Sequence, residues 1–91
     1  MEFQTKVGSW ARKTFPSGTP KSWCAHIMRE AKELQDAPSD PKEAADILIL
    51  LMGLAHINGY DLMGEAQKKM EVNYRRKWGQ PDHEGVIEHI D

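Results

Sequence analysis

Apolar positions recur along most of this chain at intervals of three and four, the period of an amphipathic helix. Phe3, Val7, Trp10 and Ala11 form the first stripe, with Gln4, Lys6, Arg12 and Lys13 elsewhere on the wheel. The spacing predicts a helix from about Glu2 to Thr14. Phe15-Pro16-Ser17-Gly18-Thr19-Pro20 breaks the period. Thr19 before Pro20 is an N-cap with proline at the first helical position. Trp23, Ile27, Ala31 and Leu34 then stripe a second helix that runs to about Asp36. Ala37-Pro38-Ser39-Asp40-Pro41 ends it and opens a third, with Asp40 as N-cap. So short a link sets the two helices antiparallel.

The third helix, from Pro41 to about Asn58, is apolar on nearly every face after Asp46. Such a helix is central in a bundle or shared with a partner. Ninety-one residues are too few to surround it, so the pattern predicts an oligomer. Asn58-Gly59 is a C-cap signal. Asp61 caps a fourth helix, whose Leu62, Ala66, Met70 and Tyr74 are expected to face inward and which ends at Gly79-Gln80-Pro81. Residues 82–91 are a short polar arm carrying Val86, Ile87 and Ile90, expected to pack on the body or on a partner. With no strand pattern and no repeat, the chain reads as one all-α domain, an antiparallel bundle of about four helices.

Composition changes this picture little. The 40% hydrophobic and 29% charged residues suit a globular domain, and a formal net charge of −2 argues against nucleic-acid or acidic-membrane partners. One cysteine, Cys24, excludes an internal disulfide and a Cys-based zinc site. It has no activating neighbour in the sequence. The N-terminus lacks the apolar core of a signal peptide. The apolar stretch from Ala44 to Ile57 is interrupted by Asp46, Gly53 and His56 and is too short to span a bilayer. These features predict a cytoplasmic protein.

The candidate chemistry lies on either side of the Pro-rich link. Glu30 and Glu33 are one pair of acids at i, i+3, and Glu43 and Asp46 are another. Residues so spaced share a helix face. Each acid taken alone reads as a solvated surface residue, and Glu43 suits a helix N-terminus. Asp46 differs, because it precedes the apolar run and a carboxylate there needs a cation, either a basic side chain or a metal ion. Two such pairs facing each other suit Mg²⁺ or Mn²⁺. His26 shares the face of Glu30, either as a hydrogen-bonded, partly buried histidine or as a substrate contact. Lys69, Asn73 and Arg76 form a polar stripe on the fourth helix, either solvated or meeting phosphates that a metal would hold. Trp10 and Trp23 read as core or interface residues that are also able to stack on a base. His83 and His89 have no ligand spacing.

Glu30-x-x-Glu33 and Glu43-x-x-Asp46 on consecutive helices resemble the motifs of the MazG-like nucleoside triphosphate pyrophosphohydrolases. The stretch from His26 through Leu34, the segment Lys69–Pro81 and the ending Gly85–Ile90 resemble the phage-type branch described as dATP/dGTP pyrophosphohydrolase. Two departures stand out: Arg29 precedes Glu30 where many members have a second Glu, and the link between the motifs is short. The resemblance implies an all-α homodimer or dimer of dimers, in a bacterial or phage-infected cytoplasm. It implies Mg²⁺-dependent hydrolysis of a (d)NTP, with a purine dNTP as the expected substrate, to the monophosphate and pyrophosphate. It places Glu30, Glu33, Glu43 and Asp46 as metal ligands and Lys69, Asn73 and Arg76 at the phosphates; in the mechanism expected from these roles, Glu33 orients or deprotonates the attacking water. The rivals are a non-catalytic helical dimerisation module and a nucleotidase releasing single phosphates.

Overall fold

The computed structural model describes residues 2–91 and contains four α-helices. They are α1 (Glu2–Thr14), α2 (Pro20–Asp36), α3 (Pro41–Asn58) and α4 (Leu62–Asn73). Capping chemistry explains three of these bounds. The Thr19 hydroxyl accepts from Ser22 N, and the Ser22 hydroxyl accepts from Thr19 N, closing a reciprocal capping box at the start of α2. Asp40 accepts from Lys42 N at the start of α3. Gly59 ends α3 in the left-handed region, at φ 77°, where a side chain would be strained.

α1 and α2 both pack on α3, and the core lies between them. Ala11, Trp23 and Leu50 are its buried centre, flanked by Phe15, Ile27 and Leu54. Phe15 meets Trp10 and Trp23 edge to face, with ring centroids 5.5 Å apart in each pair. Two glycines let the helices approach closely. A Cβ on Gly53 would fall 2.5 Å from the Trp23 ring, and one on Gly8 would fall 2.2 Å from His56. Gly53 and His56, which interrupt the apolar run of α3, are therefore packing positions.

The buried stripe of α1 differs from the expected one. Gln4, Val7, Gly8 and Ala11 are buried, whereas Phe3 and Trp10 are about half exposed. Gln4 replaces Phe3 because its amide has specific partners. Its Nε2 donates to Tyr60 O at 2.7 Å, and its Oε1 accepts from Leu62 N at 2.9 Å. On α2 Ala31 is exposed too, leaving Trp23 the one fully buried residue of that helix.

α4 departs most from expectation. The chain bends by 100° between α3 and α4. α4 buries no residue completely, and its expected inward face is open at Ala66, Met70 and Tyr74, with Leu62 half-buried. The radius of gyration of 15.3 Å exceeds the roughly 12 Å of a compact chain of this length. α4 also stops at Asn73, well before Gly79. Arg75 N and Arg76 N bond to Val72 O and Asn73 O in tight turns, and the Trp78 indole donates to Asn73 O at 3.2 Å. Arg76 thus follows the helix rather than riding on it.

The arm folds back on itself. Gly79 N bonds to Glu88 O, Ile90 N to Lys77 O, and Trp78 forms an isolated antiparallel bridge with His89. The Asp82 carboxylate accepts from Glu84 N and Val86 N to close the turn. Among the described residues no single helix is long and apolar enough to cross a membrane.

Gly53→Ala is expected to destabilise the chain by about 1–3 kcal/mol, because Trp23 and α3 must part to admit the methyl group. Urea denaturation of the two proteins checks this.

Candidate metal centre

The last two turns of α2 and the first two of α3 adjoin across the link at 37–40, so the acid pairs converge. One carboxylate oxygen from each of Glu30, Glu33 and Glu43 lies within 4.8 Å of the other two. Glu30 and Glu43 are half-buried, and Glu33 is exposed. Glu30 Oε2 and Glu43 Oε2 are shut off from solvent with no hydrogen-bond partner. Asp46 is exposed and outside this group of three, yet its charge acts on both Glu30 and Glu43. The structure therefore brings the two motifs together, with three acids at the centre and Asp46 beside them.

The electrostatics of the cluster favour an added cation. Glu30 is pushed above the ordinary carboxyl range, chiefly by the hydrogen bond it makes with Glu33 when one of them holds a proton. Burial and the charges of Glu33 and Asp46 add to this, while His26 opposes it. Glu43 is raised mainly by burial, then by the charges of Glu33, Asp40 and Asp46. No Lys or Arg acts on either group among the described residues. Buried carboxylate oxygens without a donor are costly, and hard oxygen donors at this separation fit Mg²⁺ or Mn²⁺. His26 Nε2 stands 3.4 Å from Glu30 Oε1, which joins it to the cluster as its place on the helix face suggested.

The polar stripe of the fourth helix is elsewhere. Asp46 and Asn58 are separated by about 18 Å along the α3 axis, and α4 leaves from the far end. In a single chain Lys69, Asn73 and Arg76 therefore lie apart from the carboxylates. Asn73 Nδ2 instead points at Met70 Sδ, 3.9 Å away.

A neighbouring feature escaped the sequence reading. The loop after α1 and the start of α2 enclose a cavity of about 470 Å³, lined by Phe15, Gly18, Trp23, His26 and Arg29 among others. The loop residues read as a helix breaker, and nothing in their spacing announces a wall. The aromatic character of Trp23 was the available signal.

An all-α chain with a carboxylate cluster across two antiparallel helices has the architecture of the MazG-like pyrophosphohydrolases. It superposes on the Cyanophage S-2L MazG-like pyrophosphohydrolase bound to dGDP and three catalytic Mn²⁺ ions per active site. The TM-score is 0.82 with 32% identity, over 99% of this chain and 91% of that one. Residues 3–91 match the family described as dATP/dGTP pyrophosphohydrolase, and the chain belongs to that family, as its motifs led us to expect. It is thus a nucleoside triphosphate pyrophosphohydrolase rather than a non-catalytic module. Two relatives named dATP/dGTP diphosphohydrolase are each 33% identical to it over 98% of its length. The alignment covers 86% of the protein from Cyanophage S-2L but only 31% of the one from Salmonella phage PMBT28.

Raised carboxyls release their protons later in the folded chain than in the unfolded one. Without metal, their contribution to stability is full below the ordinary carboxyl range and is lost as pH rises through their elevated values. Thermal unfolding in chelator is expected to show a midpoint that falls over that window. Added Mn²⁺ should raise the midpoint most at the upper end, where the cluster is ionised.

Proposed function

We propose that this chain hydrolyses a purine deoxynucleoside triphosphate to the monophosphate and pyrophosphate, with Mg²⁺ or Mn²⁺ held by Glu30, Glu33, Glu43 and Asp46. The observation that carries this reading is the pair of buried, unpartnered oxygens on Glu30 and Glu43 inside a cluster of converging carboxylates. The nucleotide and manganese bound by the cyanophage protein, and the names of both relatives, support it.

Divalent ions there would supply positive charge to the triphosphate oxygens and lower the pKa of a water. The residues have separable tasks. Glu30 and Glu43, half-buried, anchor the cations. Glu33, the exposed member of the three, faces solvent and takes the proton of the attacking water on its carboxylate. Attack at the α-phosphorus forms the new P–O bond, and the bond to the β-phosphate bridge breaks, releasing pyrophosphate. His26 steadies Glu30 through their contact and borders the substrate.

Phosphate charge left over needs donors, and the same chain keeps Lys69, Asn73 and Arg76 away from its own cluster. We assign these donors to a second copy, so that the active unit is a homodimer or a dimer of dimers. Exposed Leu48, Met63, Met70, Val72 and Tyr74 on α3, α4 and the turn after α4 give such an assembly apolar surface to bury.

Glu33→Gln is expected to lower Mg²⁺-dependent pyrophosphate release from dGTP by about a hundredfold or more, with folding intact. Wild-type turnover in both Glu33→Gln and Asp46→Asn would remove the proposed chemistry. Mixing Glu33→Gln with Arg76→Ala, each impaired alone, should restore part of the activity through hybrid oligomers. No recovery after verified subunit exchange would place the cationic donors in the same chain as the acids.

A further inference from the structure

The cavity beside the carboxylate cluster contains a donor that the chain itself does not use. Trp23 is 97% buried, judged by its 3% exposure, and its six-membered ring is fixed against Gly53. Its five-membered ring points the other way, with Nε1 beside Gly18. Both residues line the cavity. Among the described residues this indole N–H has no protein acceptor, and unlike Glu30 Oε2 and Glu43 Oε2 it is not shut off from solvent, so it is open to the cavity. Gly18 is what leaves it open, since a Cβ there would lie 2.7 Å from Nε1. Gly18 does not adopt positive φ, so the backbone does not demand glycine at this position. The missing side chain instead keeps the space in front of the N–H free.

The cavity also joins the proposed reaction site. His26 lines it and stands 3.4 Å from Glu30. Phe15, whose ring is braced by Trp10, Trp23 and His26, gives it an aromatic wall. Its volume of about 470 Å³ falls in the usual range for a small-molecule site. A nucleotide whose phosphates meet the carboxylate-held metal would extend its base past His26 into this space.

We propose that Trp23 Nε1–H is a specificity-determining donor that reads N7 of a purine base through the opening left by Gly18. The inference rests on the triphosphate pyrophosphohydrolase reading above and deepens it. N7 is an acceptor common to adenine and guanine, and pyrimidines have no ring nitrogen in the equivalent place. The two purines differ at C6, where one carries an amino group and the other a carbonyl. A single donor aimed at N7 therefore admits both purines and gives no advantage to pyrimidines. A site built to donate a hydrogen bond discriminates strongly against an analogue that cannot accept it.

The test compares dGTP with 7-deaza-dGTP, and dATP with 7-deaza-dATP, in the wild-type enzyme with Mn²⁺. In the analogues a C–H replaces N7 and the phosphates are unchanged. The expected result is a loss of tenfold or more in kcat/KM for both deaza compounds. Gly18→Ala, with its folding checked by its thermal midpoint, should lower kcat/KM for dGTP and erase most of the difference between dGTP and its analogue. Efficient dGTP hydrolysis with equal values for 7-deaza-dGTP would overturn the N7 contact and leave the parent reading standing. A folded Gly18→Ala enzyme that still distinguishes the pair as the wild type does would overturn the role of the opening. Absence of pyrophosphate release from dGTP itself would take down both the parent reading and this one.

Discussion

The seat of Trp23 on Gly53 is the contact on which the rest of this small protein depends. The indole is the largest group in the core, and the absent side chain on α3 lets it approach the helix backbone. That contact and the short link at 37–40 together fix how α2 lies on α3. Once they are fixed, the acids near the adjoining ends of the two helices have little freedom to avoid one another. The opposite edge of the same indole forms part of the cavity wall. One side chain therefore spaces two helices and shapes the ground beside the carboxylates.

Such an arrangement opposes local stability to function. Acidic groups that repel and lose water weaken the chain alone, and a divalent ion bound as proposed would reverse the sign of their effect. The apolar packing must then hold the helices in place against that repulsion. Aromatic groups do much of this work, with Phe15 touching three ring neighbours at once. A core centred on so few buried side chains leaves little reserve, which is why glycine positions that seem permissive in the sequence are tightly constrained in the fold.

Local chemistry made much of this legible. Thr19, Asp40 and Gly59 declare their helix ends by capping rules that need no distant partner, and the observed starts of α2 and α3 and the end of α3 follow them. The acid pairs were legible for a similar reason, since helical spacing and a short link suffice to bring them together. Gln4 was not legible, because its value lies in bonds to Tyr60 and Leu62, which are distant in sequence. The end of α4 was missed because Trp78 caps it from a folded arm. The apolar residues of α4 were assigned to an interior that the single chain does not provide. The cavity stayed hidden because its walls depend on where the Phe15–Gly18 loop crosses α2, and no periodicity encodes that.

The amide of Gln4 has a wider meaning than its size suggests. It grips the chain on both sides of Asp61, at the corner where α3 gives way to α4, from the first turn of a helix at the other end of the sequence. The direction in which α4 projects is thus latched by the first turn of α1. Because α4 carries Lys69 and leads to Arg76, the first turn of α1 helps to aim that cationic surface. Fraying the first turn of α1 would therefore act at a distance, on the direction of α4 rather than on the core.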